Sequence, residues 1–351
     1  MRSPLSKIED YPAYLEKCWL EHLQERSYDA PTVISLFAGC GGSSLGYSMA
    51  GFRELLAVEW DDNAVETFKL NFPDVPVYHG DITKLSVGEV FKMTGLERYK
   101  LDVLDGSPPC QGFSTAGKRI LDDPRNQLFR EFVRLLDGLQ PKVFVMENVS
   151  GMVKGKMKLV FAEILRELKS CGYKVSARLL NAMYFGVPQS RQRMIFIGVR
   201  EDLGIKPSYP KAKWQPIVFR DACVGLNNDS PDDRYLGELL QNVAKIQPDK
   251  WEMDREKYKA IKGNIAGAIG TKWAGWNRVC MTVIKSEIAM CGTIHPDRKR
   301  YISIPETKRV FSFPDRYQFI GNRKQAIERM GKSVPPLFMR SIAKHIRFNI
   351  L

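Results

Sequence analysis

Leu101-Asp-Val-Leu-Asp-Gly-Ser-Pro-Pro-Cys-Gln-Gly-Phe-Ser114 reads as a buried strand running straight into a rigid turn. Gly106 permits unusual backbone angles, and Pro108 and Pro109 fix φ. The turn presents one thiol, Cys110, at the carboxyl end of a strand expected to be parallel. Open α/β sheets hold their ligands at that edge. A small buried cysteine is the plain alternative. Against it stand the Pro-Pro turn, the polar loop Gln111 to Asp123, and other segments suited to a cofactor.

Upstream, Thr32-Val-Ile-Ser-Leu-Phe37 is a short apolar strand, followed by Ala38-Gly-Cys-Gly-Gly-Ser-Ser44 and a helix to about Ala50. Strand, glycine turn and helix form the plan of a nucleotide-type cofactor site, where helix N–H groups face the ligand. The glycine spacing is not the dinucleotide fingerprint, which argues against a nicotinamide oxidoreductase. A second strand, Glu54 to Glu59, ends in an acid placed to accept from ribose hydroxyls, and Trp60 is placed to stack on adenine. The alternative has Glu59 capping a helix over 63–71 and Trp60 in the core. A third strand, Val75 to His79, ends at Gly80-Asp81-Ile82, where Asp81 suits an adenine amino group. Three successive strand ends thus offer a glycine turn and two acids.

Downstream, the loop after Cys110 carries Lys118, Arg119 and Arg125, and Asn126 to Gly138 reads as a helix. Lys142 to Met146 is a fifth strand that delivers Glu147-Asn148 to the same edge. Glu147 is there either a solvated loop acid or a proton donor facing Cys110. A helix over 158–170 and strands over 173–180 and 194–199 follow. Arg191 and Arg193 alternate in phase, which would point both side chains to one face and suit an anion.

Periodicity is poor from 203 to 303, where Trp214, Trp251, Trp273 and Trp276 lie among scattered cations. The expected division is a helical extension over 1–30, a catalytic and cofactor domain over 31–202, a second domain over 203–303, and a returning segment over 304–351. A chain of 351 residues with net charge +13 and pI near 9.3 suggests a polyanionic partner, most simply nucleic acid. No apolar run reaches the ~18 residues of a membrane span, and no apolar signal core opens the chain. Seven cysteines without a Cys-x-x-Cys pair argue against a disulfide framework and a zinc site, and no metal is expected. The compartment expected is a reducing cytoplasm, and the protein is expected to act as a monomer.

These residues, in this order, resemble the C5-cytosine DNA methyltransferase family across nearly the whole chain outside the N-terminal helix and residues 203–280. The resemblance implies a Rossmann-like class I α/β domain, a mostly parallel twisted sheet with helices on both faces, plus a smaller, irregular target-recognition domain. It implies S-adenosylmethionine as cofactor and double-stranded DNA as partner. Phe37-Ala38-Gly39-Cys-Gly41-Gly42 resembles the cofactor turn. Glu59, Trp60, Asp81 and Ile82 resemble ribose and adenine contacts, and Pro108, Leu128 and Ser333 complete the cofactor set. Pro108-Pro-Cys-Gln-Gly-Phe-Ser114 resembles the nucleophile loop, with Cys110 as the catalytic thiol and Gln111 beside it. Glu147-Asn-Val149 resembles the Glu-Asn-Val signature, placing Glu147 at cytosine N3. Gln189-Ser-Arg-Gln-Arg193 resembles the Gln-x-Arg-x-Arg element, with Arg193 next to the base and Arg191 in support. Ser114, Lys118, Arg119, Gln189 and Thr282 are implied at the DNA. One position departs: Gly331-Lys-Ser333 stands where the family reads Gly-Asn-(Ala/Ser). Lys332 there pairs with the cofactor carboxylate, faces solvent, or marks a carboxylated donor, carboxy-S-adenosylmethionine, which would give 5-carboxymethylcytosine. A tRNA methyltransferase of the same family and a basic binder without activity are the rival readings.

Overall fold

A computed structural model describes residues 5–109, 127–153, 157–226, 271–285, 292–297 and 299–351. Cys110, Gln111, Ser114, Lys118 and Arg119 lie outside the described residues, as do Arg125 and Trp251. In chain order the first elements are α1 (Tyr11–Leu23), β1 (Thr32–Leu36), α2 (Gly42–Met49), β2 (Arg53–Glu59), α3 (Asp62–Asn71), β3 (Val77–His79), α4 (Val87–Thr94) and β4 (Val103–Gly106). Then come α5 (Gln127–Leu139), β5 (Val143–Val149), α6 (Met157–Ser170), β6 (Tyr173–Asn181), β7 (Gln189–Ser190) and β8 (Gln192–Arg200). The rest are α7 (Phe219–Ala222), β9 (Thr271–Trp273), β10 (Cys280–Met281), β11 (Gly292–Ile294), α8 (Ile304–Val310), α9 (Arg323–Lys332) and α10 (Pro336–Asn349).

The chain forms two compact units, and the larger, residues 20–181, 192–211 and 338–351, contains one sheet of order β3-β2-β1-β4-β5-β8-β6. β3, β2, β1, β4 and β5 run parallel, and β8 is antiparallel to both β5 and β6. The central strands are covered on both faces, as in a parallel sheet between helices: β1 is buried at every residue, and β5 at all but its last. Strand order reverses between β1 and β4, which is where open α/β sheets bind ligands. α3 starts where Asp61 accepts from the Ala64 N–H, so Asp61, not Glu59, caps it. The core runs from Ile34, Leu36 and Leu56 through Leu104, Phe132 and Phe144 to Phe196. Gly106 has ordinary strand geometry; its missing Cβ instead admits Phe132, which a methyl group would meet at 2.8 Å. The last helix belongs to this unit: Arg340 binds Glu21 through two 2.8 Å bonds, and Arg347 Nη1 donates to Ala50 O at 2.8 Å.

The other unit comprises residues 1–19, 182–191 and 212–337. Its described part is less regular. β7 pairs with β10, and β9 with β11, in two short parallel ladders. A capping box of Ser303 and Glu306 starts α8, and Arg300 holds Glu306 by bonds of 2.7 and 3.0 Å. Trp273 is buried, Trp276 is partly exposed, and Trp214 packs edge-on against Tyr14.

Candidate active site

The end of β1 turns sharply. Phe37 and Gly39 have φ of 56° and 57°, and Gly41, the residue before α2, has φ of 87°. Three left-handed residues in five turn the chain sharply into α2, a geometry glycine allows and Phe37 adopts at a cost of ~1 kcal/mol or more. Glu59 ties this turn to β2. Its Oε2 accepts from the Gly39 N–H at 2.8 Å, and its Oε1 from the N–H groups of Trp60 and Asp61 at 3.0 Å. A carboxylate has about four acceptor directions, so room for a hydroxyl remains. Trp60 is 76% exposed, which rejects the core alternative for it. Asp81 is exposed, and its Oδ1 accepts from the Thr83 N–H at 3.0 Å; that bond lowers its pKa. Ile82 is buried below, and Leu128 packs half-buried against the core. The turn, Glu59, Trp60, Asp81 and Leu128 therefore all belong to the sheet unit.

Two strands from β1, across β4, β5 carries Glu147 and Asn148 within its ladder rather than after it. Glu147 is 9% exposed, and its Oε1 lies 2.6 Å from Arg193 Nε. The antiparallel register produces the pair, since Val149 stands opposite Arg193 and Glu147 opposite Ile195. Asn148 Nδ2 donates to the Pro108 carbonyl at 3.4 Å, binding the turn that precedes position 110 to the Glu147 strand. An acid–guanidinium pair, almost shut off from water, thus lies on the strand that holds the proline turn.

The expected alternation of Arg191 and Arg193 does not hold, because the strand breaks at Arg191. That residue belongs to the other unit and is 2% exposed. Its guanidinium donates to Val283 O at 3.2 Å, Gly331 O at 2.8 Å and Ser333 O at 3.2 Å, and stacks 5.2 Å from the Phe311 ring. Gln189, expected at the DNA, is fully buried. Its Nε2 donates to Val310 O, and its Oε1 accepts from the Val283 N–H and from Arg191. The amide is spent inside the unit, so packing replaces DNA contact as its role. Thr282 is half-buried, with its hydroxyl donating to Ser190 O at 2.6 Å. Ser333 donates to Arg329 O at 2.9 Å, and Lys332 Nζ sits 2.6 Å from Glu328.

Residues 31–347 match the C-5 cytosine-specific DNA methylase family. The chain belongs to that family. It is 35% identical over 328 residues to the type II methyltransferase M1.HphI of Haemophilus parahaemolyticus, covering 90% of this chain and 86% of that one. It is 31% identical over 358 residues to M.XorII of Xanthomonas oryzae pv. oryzae, covering 90% and 84%. Among solved structures, a prophage-encoded DNA modification methyltransferase from E. coli superposes with a TM-score of 0.73 at 25% identity, over 91% of this chain and 99% of that one. The mainly parallel sheet is accordingly the Rossmann-like methyltransferase fold, and the protein is a DNA cytosine-5-methyltransferase by family.

Sequence reasoning missed a polar seat under α2. Asp105, 2% exposed, accepts from Ser43 Oγ and from the Tyr47 hydroxyl. The available signal was an acid inside the otherwise apolar run Val103-Leu-Asp105.

Proposed function

We propose that the enzyme flips a cytosine out of duplex DNA and attacks C6 with Cys110, so that a methyl group is added at C5. Stacked bases are inaccessible to such chemistry, and extrusion costs only a few kcal/mol. S-adenosylmethionine, when bound, supplies the methyl group as an electrophile on sulfonium. The left-handed turn at Phe37–Gly42, the spare acceptor direction of Glu59, the exposed Trp60 and the exposed Asp81 fit its ribose and adenine. Pro108, Ile82, Leu128 and Ser333 complete that set by resemblance.

Cytosine C5 is a poor nucleophile while the ring is aromatic. A sulfur–C6 bond from Cys110 removes the aromaticity and makes C5 enamine-like. Glu147 holds the N3 edge and a proton there, which offsets charge built on the ring. Arg193 orients Glu147 and faces O2. Loss of the C5 proton after methyl addition expels the thiolate. Gln111 supports the nucleophile loop, Ser114, Lys118, Arg119 and Thr282 face the DNA, and residues 203–303 read its bases.

What carries this reading is the Glu147–Arg193 pair at 2.6 Å, fastened through Asn148 to the proline turn, in a chain of this family. The test is a duplex with 5-fluorocytosine at the target. It should trap the protein covalently in the presence of donor, and Cys110→Ser should lower methyl transfer by roughly 10⁴-fold or more. Undiminished transfer by that variant, or transfer to tRNA in preference to duplex, would end the proposal.

A second reading of the donor rests on Lys332 alone; the comparisons speak for S-adenosylmethionine. The lysine is half-exposed and held by Glu328 in an i,i+4 pair worth only about 0.5 kcal/mol, so a cofactor carboxylate would win it easily. Incubation with each donor separately, followed by nucleoside mass spectrometry, distinguishes 5-methylcytosine from 5-carboxymethylcytosine.

A further inference from the structure

Asp105 has no part in the chemistry derived above, yet it sits at the centre of the sheet. On β4 it stands opposite Ser35 of β1 and Val145 of β5. It therefore points to the same sheet face as Glu147, two residues beyond Val145. Its Oδ2 accepts from Ser43 Oγ at 2.5 Å and its Oδ1 from the Tyr47 hydroxyl at 3.3 Å. Ser43 is the second residue of α2, directly after the left-handed turn assigned above to the cofactor. Beside it, Ser44 Oγ donates to Glu54 Oε1 at 2.8 Å and lies 3.4 Å from Ser35 Oγ. The cofactor helix thus rests on two carboxylates through three hydroxyls, where helices ordinarily meet a parallel sheet through apolar groups.

Such a seat is expensive, because neither carboxylate forms an ion pair among the described residues. Burial pushes Asp105 up to about 7; the Ser43 and Tyr47 bonds pull it down, and the charge of Glu147 pushes it up. Burial pushes Glu54 up to about 8, with Ser35 and Ser44 opposing and Asp105 adding to the rise. The groups around Asp105 are Ser43 and Tyr47 from α2, Glu54 from β2, and Glu147 from β5, the last already paired with Arg193 of β8.

We propose that Asp105 is a specificity-determining residue for the donor: its carboxylate, fixed under the first turn of α2, favours a cationic sulfonium over the neutral thioether left after transfer. This rests on S-adenosylmethionine being the donor. Donor and product differ by one positive charge at the sulfur. A carboxylate in the dry layer beneath the turn senses that charge without touching the ligand, since little water screens it. The same preference speeds exchange of spent product for fresh donor.

The experiment is isothermal titration of S-adenosylmethionine and S-adenosylhomocysteine into the full-length protein between pH 5.5 and 8. The ratio of product Kd to donor Kd should rise with pH in the wild type as Asp105 ionises, by roughly tenfold. Asp105→Asn, which keeps the shape and removes the charge, should flatten the ratio at its acid value. Ser43→Ala should move the rise to higher pH, because it deletes a bond that holds Asp105 down. A ratio in the wild type that does not change with pH overturns the inference, with or without a folded variant. So does an Asp105→Asn ratio that still rises. Failure of both ligands to bind at any pH overturns the donor assignment itself.

Discussion

Arg191 and Arg193 are separated by one residue and belong to different units of the molecule. Arg191 gives its guanidinium to three backbone carbonyls from segments 92 to 142 residues away. Arg193 places its Nε on one acid of the neighbouring strand and donates Nη1 to the adjacent Gln192 carbonyl. A charged group donating to buried carbonyls contributes about 1.5–3 kcal/mol per bond and cannot be released without exposing those carbonyls. An arginine on a carboxylate fixes that acid's orientation through a charge-assisted bond. The comparison teaches that adjacency in a motif does not mean membership in one site. The first arginine is spent on the carbonyls of its own unit, and the second is held on an acid within the sheet unit.

The strongest way to break that contrast is Arg191→Ala. Three carbonyls would lose their donor, and urea unfolding should show a loss of about 3–5 kcal/mol. Intact stability with abolished transfer would make Arg191 a site residue after all. Next comes Arg193→Gln, expected to lower kcat by about 100-fold while costing less stability than the first change. Steady-state kinetics beside a thermal melt read both quantities, and the reverse ranking would dissolve the distinction. The smallest effect belongs to Lys332→Ala. Its exposed pair with Glu328 should move stability by no more than about 0.5 kcal/mol. Affinity for S-adenosylmethionine, measured by titration, should stay within about twofold; a marked loss would place Lys332 at the cofactor.

Much of the sheet was legible. Runs such as Thr32–Leu36 and Val143–Val149 are buried at nearly every position, and their apolar stretches Val33–Ile34 and Val143–Met146 suffice to mark a buried parallel strand. The acids Glu59, Asp81 and Glu147 were readable because they end or interrupt those runs. Trp60 was readable as the residue after a strand-end acid, and its exposure removes the core alternative. Other positions were opaque. Gln189 looks polar and functional in sequence, yet it is fully enclosed because Val283 and Val310 satisfy its amide. In sequence Gly331 is only the first residue of the Gly331-Lys-Ser333 departure. In the fold a methyl group there would lie 2.4 Å from the Lys285 backbone, so the glycine is a point of close approach.

From its letters alone the chain specified the order of strands, glycine turn and strand-end acids, and the thiol-bearing proline turn. Those features depend on neighbours a few residues away, through φ restriction and two-residue alternation. The tertiary structure decided which polar groups would be used up and which left for a ligand. Ser43 meets Asp105 across 62 residues, and Arg191 meets Ser333 across 142. A buried charge or amide must find a partner wherever folding brings one, and no local pattern encodes that meeting.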